Sequence, residues 1–297
     1  MVFDWKTLSI TDINLLQSSL KTKSLLGSDS TLANVFLLQK KYNIQCCIKN
    51  DIFFRFYNGQ DSRYGFAFPI PLKTANADYL KTSIQLLLDF LKESKQPIPL
   101  CLFTQEQKNQ FDKCLRENFS SAQIKWDSNR NDSDYIYLFE KLSSLSGKSL
   151  QKKKNHVSRF CRTYENQWNF KTFPENNISK DILYVAEQWF RDRFSVKDEE
   201  NSFSETALRF EQECIKNALL YHDILKFKGG VLYINDEPVG MTMAAQTSQD
   251  CIDIIFEKVL PSYALNGGYS AINNFFSKHC SQFMYINREE DMGVEGL

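Results

Sequence analysis

Short runs of β-forming residues alternate with amphipathic helical segments, and this alternation limits the possible folds more than any other feature of the chain. The first half contains the strand-like runs "IQCCIK" (44–49), "IFFRFY" (52–57) and "YGFAFPIPL" (64–72), separated by polar turns. The following "ADYLKTSIQLLLDFLKES" repeats leucine and isoleucine at helical spacing. This order predicts a mixed α/β (α+β) fold with mixed sheets flanked by helices, rather than an all-β protein or a helical bundle.

The most polar, turn-rich stretch in the middle of the chain is "DSNRNDSD" (127–134). Before it, "IPLCLF" (98–103) and "AQIKW" (122–126) predict two further strands around a helix. We therefore place a domain boundary in the polar stretch, with an N-terminal domain over 1–130 and a C-terminal domain over 131–297.

The second half repeats the mixture of strands and helices. We predict strands at "YIYLFE", "CIDIIFEKV" and "FMYI", a hairpin at "GGVLYINDEPVGMTMAAQ", and helices near 180–193, 204–221 and 267–280. Both halves thus contain several strands with interspersed helices. An internal duplication of the fold remains open, since no sequence repeat accompanies it.

The charge balance restricts the partners. Lysine plus arginine and aspartate plus glutamate each total 36, so a polyanion would have to bind to a local basic patch.

The sequence has neither a secretion signal nor an apolar run of the ~18 residues that a membrane span needs. The eight cysteines contain no C-x-x-C pair. We expect buried free thiols and a cytoplasmic protein.

A local basic patch does exist in "SGKSLQKKKNHVSRFCRTYEN". From Lys148 to Arg162 there are six lysines and arginines and no acid. On a helix, one face is apolar, and the opposite face and its flanks carry the polar and basic residues Lys152, Lys153, Lys154, Asn155, His156, Arg159 and Arg162. A one-sign stripe favours a phosphate-rich partner, although a solvated helix face is an alternative.

Two acidic residues are candidates for proton transfer. Glu211 falls in the middle of the apolar face of "SETALRFEQECIKNALL", where a carboxylate needs a cation, a donor or a raised pKa. Glu257 ends the strand "CIDIIFEKV", where strand alternation places it on the side of Asp253 and Ile255, and places Lys258 on the other side. A structural ion pair or a surface position is the alternative for each.

Other chemistries are weakly indicated. Gly267 and Gly268 precede a helix and could approach a phosphate, but a tight strand–helix turn is the simpler interpretation. The three histidines are scattered and the cysteines do not cluster, so we expect no metal site.

Four segments together resemble a known family. The order "DYIYLFEKLSSLSGKSLQKKKNHVSRF", "FEKV", "NGGYSAINNFF" and "YINREEDMGVEGL" is similar to DUF2156 proteins, which resemble the C-terminal domain of phosphatidylglycerol lysyltransferases. The resemblance covers most of 131–297 and extends toward the first half. It implies two GNAT-like domains in tandem, of the acyl-CoA N-acyltransferase type. In the better-known relatives, this fold moves an aminoacyl group from a charged tRNA to an acceptor.

The resemblance also assigns residues. Lys152, Lys154, Asn155, His156 and Arg159 match the family's basic block, and Glu257 and Lys258 match its glutamate–lysine pair. Its C-terminal block is matched by Asn287, Arg288, Glu289, Asp291 and Gly293. Phe256 stands where a histidine is common. Family members continue after "EGL" with a basic segment, so the resemblance implies a second domain that lacks its last segment.

These observations lead to two main hypotheses. The first is aminoacyl or acyl transfer from a charged tRNA to an amine or hydroxyl acceptor, with Glu257 or Glu211 as the base. The binding residues would be those of the basic block together with Lys258, Asn287, Arg288 and Asp291. An acyl-CoA donor is less favoured, because the turn before the 267–280 helix lacks the usual pyrophosphate-loop pattern. No cofactor is expected, and the acceptor stays open between a small molecule, a peptide and a lipid headgroup. The second hypothesis is a non-catalytic tRNA-binding or interaction module, and a truncated, inactive family member is a third.

Overall fold

The described chain divides into two units in this computed structural model, which describes residues 3–20, 25–59, 63–95, 97–195 and 205–290. Of the described residues, the first unit holds 3–20, those within 34–133, and Glu290. The second unit holds 25–33 and those within 134–289. The change of unit after Ser133 falls in the polar stretch 127–134, while residues 25–33 count with the second unit.

The first unit contains a four-stranded antiparallel sheet with helices. Its elements are α1 (Ile10–Ser19), β1 (Gln45–Lys49), β2 (Ile52–Asn58), β3 (Tyr64–Phe66), β4 (Ile70–Pro71), α3 (Tyr79–Ser94) and α4 (Gln105–Asn118). Helix α2 (Leu32–Leu38) runs across the chain division at 33/34. Strand β2 pairs with β1, β3 and β4. Aromatic rings fill the core, and Phe3 packs edge-on against Phe54 with ring centroids 4.9 Å apart.

Two predicted strands of the first half are wrong. Residues 98–103 contribute only an isolated bridge between Leu100 and Phe66, and 122–126 form no strand. Pro99 lacks the N–H that a ladder needs, which explains the first error. In the second segment Ile124 and Trp126 pack on the aromatic core, so their apolar pattern reflects burial without strand pairing.

The second unit contains a six-stranded mixed sheet with helices on both faces. Its elements are β5 (Asp134–Leu138), α5 (Phe139–Ser144), α6 (Gln151–Thr163), β6 (Trp168–Phe173), α7 (Ser179–Ser195), α8 (Glu205–Leu220), α9 (His222–Leu225), β7 (Phe227–Ile234), β8 (Glu237–Gln246), β9 (Cys251–Val259), α10 (Pro261–Ala264), α11 (Gly268–Ser277) and β10 (Tyr285–Glu290). The strand order is β5-β10-β9-β8-β7-β6. The fold class predicted from the sequence is confirmed.

The hairpin of β7 and β8 forms where the sequence predicts it. Asn235 and Asp236 both have positive φ, 49° and 65°, which is the turn geometry that matches the twist of paired strands. Strands β6 to β9 are antiparallel neighbours, whereas β9 and β10 run parallel. None of the helices in the described ranges is long and apolar enough to span a membrane.

A β-bulge in β9 decides which side chains reach which face of this sheet. The pairing with β8 runs from Met243 opposite Phe256 to Ala244 opposite Ile254, so Ile255 has no partner. An extra residue reverses the in–out alternation beyond it. The strand therefore presents Ile254 and Glu257 to the same face, although simple alternation placed them on opposite faces.

Candidate active site

Glu257 is the centre of a polar cluster on the α11 face of the second sheet. Its Oε1 accepts a hydrogen bond from Nη2 of Arg288 on β10 at 2.9 Å, and its Oε2 accepts one from Nδ2 of Asn273 on α11 at 3.0 Å. The Glu257 and Arg288 side chains are 10% and 20% exposed, and Asn273 is buried. The carboxylate of Glu257 on β9 is thus held by one side chain from β10 and one from α11.

The face that Glu257 occupies follows from its neighbours on β8. Gly240 lies opposite Val259, and a side chain added at Gly240 would meet Ile272 of α11 at 3.2 Å. Thr242, two residues along β8, lies opposite Glu257 and so faces α11 as well. Its hydroxyl is buried without a hydrogen-bond partner among the described residues.

Lys258 lies on the opposite face, with helices α7 and α8. Its ammonium donates to Oε1 of Glu211 at 2.7 Å and lies 4.1 Å from the ring centre of Trp189. Glu211 therefore has the cation that its place on an apolar helix face required. The two carboxylates proposed as alternative bases are on different faces of the sheet.

Phe256 shares the face of Lys258 and stacks on Phe227. A histidine at this position would point away from the Glu257 carboxylate. The change from histidine to phenylalanine therefore removes no direct proton carrier for Glu257.

The polar cluster lies where β9 and β10 separate. Their parallel pairing covers Tyr285 to Asn287 against Cys251 to Asp253 and then ends, although β9 continues to Val259. The last part of β9 has β8 on one edge, and no strand of the described residues pairs with its other edge. Beyond this point, backbone groups on that edge of β9 need partners other than a paired strand of the described residues.

Lys153 of α6 lies near this cluster, whereas the sequence predicted a position on the flank of the basic face. It is half-buried, and burial lowers its pKa to about 8, helped by the charge of Arg288 and opposed by that of Glu257. At helical spacing it falls beside Val157 and Phe160, which pack toward α11. Lys153 is therefore a cation next to the Glu257–Arg288 pair.

The exposed cations of α6 form a separate surface. Lys152, Lys154 and Arg162 are exposed, and none of them has a salt bridge to any acid in the described part of the chain. The predicted one-sign face is present at these positions. Its role in binding stays a prediction.

Three other residues of the basic block have local partners or altered charge. Arg159 donates to the carbonyl oxygen of Leu265 at 2.9 Å, and the amide oxygen of Asn155 accepts from Gln151 at 3.0 Å. Burial lowers the pKa of His156, and neighbouring cations lower it further. We expect a neutral imidazole at pH 7, so His156 adds no positive charge to the stripe.

Asn287 anchors β10. It is fully buried, donates to Leu26 O at 2.8 Å and to Oδ2 of Asp134 at 2.6 Å, and accepts from the backbone N–H of Glu289 at 2.8 Å. These bonds fix the end of the strand next to Arg288. The predicted site residue Asp291 lies outside the described residues, as does Gly293.

The double glycine is a tight strand–helix turn against α6. Gly267 has φ +93°, and a Cβ at this position would lie 2.5 Å from the carbonyl oxygen of His156. Only glycine combines this backbone conformation with so close an approach. The turn thereby holds the basic helix against the first turn of α11.

No sequence pattern predicts a functional role for Asn273, Tyr269 or Trp189. The available signal for Asn273 was a pair of asparagines inside the apolar run "AINNFF" of a helix, and the structure buries both. Tyr269 accepts a hydrogen bond from Nε1 of Trp189 at 3.1 Å. That contact joins residues 80 positions apart, and no local pattern predicts it.

The second unit is thus an α/β unit whose antiparallel strands β6 to β9 are followed by the parallel strand β10. The sequence profile of the family described as phosphatidylglycerol lysyltransferase, C-terminal, matches residues 22–297. The chain belongs to this family.

Solved structures support the fold. A conserved protein of unknown function from Bacteroides thetaiotaomicron aligns with TM-score 0.80 and 21% identity, over 99% of this chain and 92% of that one. The C-terminal domain (DUF2156) of a protein assigned as a lysylphosphatidylglycerol synthetase from Agrobacterium fabrum aligns with TM-score 0.56 and 10% identity, over 95% and 79%. At these identities the likeness concerns the fold alone.

One relative matches by sequence. An uncharacterised protein of Mycoplasmoides gallisepticum is 26% identical over 203 residues, which are 65% of this chain and 61% of that protein. The match thus spans less than two thirds of the relative's length.

Proposed function

We propose that the second unit transfers an aminoacyl or acyl group from a charged tRNA-type donor to an amine or hydroxyl acceptor. The observation that carries the proposal is the opening between β9 and β10, with Glu257 fixed beside it by Arg288 and Asn273. Membership of a family described as phosphatidylglycerol lysyltransferase supports the reaction class.

Glu257 is the proposed base. Each of its oxygens accepts one hydrogen bond from the described residues. A carboxylate oxygen has two lone pairs, so each retains a site for an acceptor proton. Glu211 is less suited, because its carboxylate is held by Lys258 on the other face of the sheet. Proton removal would let the acceptor attack the ester carbonyl of the donor.

The donor would be held through its phosphates. Arg288 and Lys153 place positive charge at the opening, and Lys152, Lys154 and Arg162 extend it over the surface of α6. Guanidinium and ammonium groups bind phosphate oxygens by charge-assisted hydrogen bonds. The proposal requires no cofactor or metal ion.

The test is the transfer of label from aminoacyl-tRNA by the full-length protein. Acceptors would include free amino acids, short peptides and vesicles containing phosphatidylglycerol. We expect transfer by the wild type and a loss of at least ~100-fold in Glu257→Gln, the usual contribution of a positioned base. Glu165→Gln, on the exposed surface of the same unit, is the matched control. Absence of transfer to every acceptor class would refute the proposal.

The exposed face of α6 favours a second candidate, a non-catalytic tRNA-binding module. This candidate predicts tRNA binding that weakens steeply with salt, with the slope of log K against log salt reduced by about 0.7–0.9 for each lost phosphate contact. Lys152→Ala and Lys154→Ala should each reduce the slope, and Lys216→Ala, an exposed lysine of α8, should not. Binding without any transfer would select this candidate, and binding unaffected by either α6 variant would remove α6 from both.

A further inference from the structure

Tyr269 occupies the opening between β9 and β10. It lies in the first turn of α11, and its phenolic oxygen accepts hydrogen bonds from Nε1 of Trp189, at 3.1 Å, and from the backbone N–H of Val259. One donor comes from a helix and the other from the strand that carries Glu257. The position of the hydroxyl is thus fixed from two sides.

The second donor shows which edge of β9 the hydroxyl faces. Leu260 donates its N–H to Val239 O on β8, and successive backbone groups of a strand point to alternate edges. The N–H of Val259 therefore points to the other edge, where the pairing with β10 has ended. The Tyr269 oxygen lies at this open edge, and the charge of Glu257 raises the pKa of its hydroxyl.

The hydroxyl has its own proton to give. A tyrosine hydroxyl has one hydrogen to donate and also accepts, and both observed bonds use its oxygen as acceptor. Among the described residues, the Tyr269 hydroxyl donates no hydrogen bond. The pKa of Tyr269 is raised overall, because burial and the charge of Glu257 outweigh the two donors and the charge of Arg193, which lower it. The hydroxyl is therefore protonated at neutral pH.

A transfer from an aminoacyl ester needs such a donor. When the acceptor attacks the carbonyl carbon, the bond from that carbon to the ribose oxygen of the tRNA breaks, and the departing oxygen must take up a proton. Glu257 can receive the proton of the acceptor but cannot supply one to the leaving oxygen at the same moment. A second group at the opening must do so.

We propose that Tyr269 is the general acid of the transfer, a role that rests on the proposed function. Its O–H proton passes to the leaving ribose oxygen as the carbon–oxygen bond breaks. The proton that Glu257 took from the acceptor then returns to the phenolate. The net step moves one proton from the acceptor to the ribose and leaves both side chains as they began.

Two changes at position 269 test this role in the full-length protein with labelled aminoacyl-tRNA. Tyr269→Phe keeps the ring and should lower kcat by about 100-fold with little change in KM. Replacement of Tyr269 by 3-fluorotyrosine keeps the hydroxyl and its two donors but makes the phenol more acidic. It should keep activity and move the alkaline limb of the pH–kcat profile to lower pH.

Tyr233→Phe is the control, since it removes another hydroxyl of the same unit, one that donates to Asp181. Two results would overturn the role of Tyr269: a Tyr269→Phe protein as active as Tyr233→Phe, or an alkaline limb that 3-fluorotyrosine leaves in place. Both require a wild type that transfers label. A wild type without transfer refutes the proposed function itself, so the two failures are distinguishable.

Discussion

The contact between Glu257 and Arg288 makes the sharpest stability prediction. Both charges are largely removed from water, since their side chains are 10% and 20% exposed, and the ion pair is 2.9 Å long. Removing one partner of a buried pair leaves the other charge uncompensated, at a cost of about 3–5 kcal/mol. Because Arg288 keeps some exposure, we expect Arg288→Met to destabilise the second unit by ~3 kcal/mol, the lower end of that range.

Hydrogen exchange of the β9 amides measures this effect within the second unit. A loss of ~3 kcal/mol corresponds to about 150-fold faster exchange when opening is a rapid equilibrium. Glu257→Gln should also destabilise, and the double variant Glu257→Gln/Arg288→Met should lose less than the sum, because no charge is then left alone.

An exposed pair gives the control. Arg209 and Glu205 form an ion pair of 2.6 Å on α8, with side chains 68% and 63% exposed. Arg209→Met should change stability by no more than ~0.5 kcal/mol. Strictly additive effects of the two site variants would show that Glu257 and Arg288 are not coupled, and the geometry argued for the site would be wrong.

Three further predictions concern the surroundings of the pair. The pKa of Lys153 is lowered from 10.5 to about 8 in the folded state, so the unfolded state binds this proton more tightly. The stability of the wild type relative to Lys153→Met should therefore rise from pH 8 to 10.5. Urea unfolding at both ends of this pH window checks the sign. Gly267→Ala should destabilise by about 2 kcal/mol or more, because φ is +93° and the new Cβ would lie 2.5 Å from a carbonyl of α6; an unchanged Tm would contradict this. Asn273→Asp places a second carboxylate 3.0 Å from the first, so the acidic limb of the pH–rate profile should move to higher pH, whereas Asn273→Ser should leave it in place.

The local part of the architecture was predictable from the sequence. The two helices α7 and α8, the β7–β8 hairpin and β9 follow from periodicity and turn residues, because these signals lie within one segment. The inward position of Lys153 was also predictable from the sequence, because its spacing from Val157 and Phe160 places it on the packed face of α6.

The site itself required tertiary information. The bulge at Ile255 exists only through the register with β8, so strand alternation alone sent Glu257 to the wrong face. Its partner Arg288 lies 31 positions away on a strand that pairs with β9 over three residues only. Tyr269 meets Trp189 across 80 positions. Contacts of this range depend on topology, which residue patterns restrict without determining.

Two unpaired polar atoms indicate where a substrate would fit. Nε of Arg288 and the hydroxyl of Thr242 are buried without hydrogen-bond partners among the described residues, and both flank Glu257. A folded protein normally pairs such groups, because an unmade hydrogen bond costs about 1–3 kcal/mol. Arg288 already donates one N–H to Glu257, so its Nε can bind an incoming oxygen without breaking the ion pair. A carbonyl or phosphate oxygen held there would lie beside Glu257, the proposed base, and beside the open edge of β9. Stability at this point is thus lower than the fold could achieve, as expected where binding is completed by a ligand.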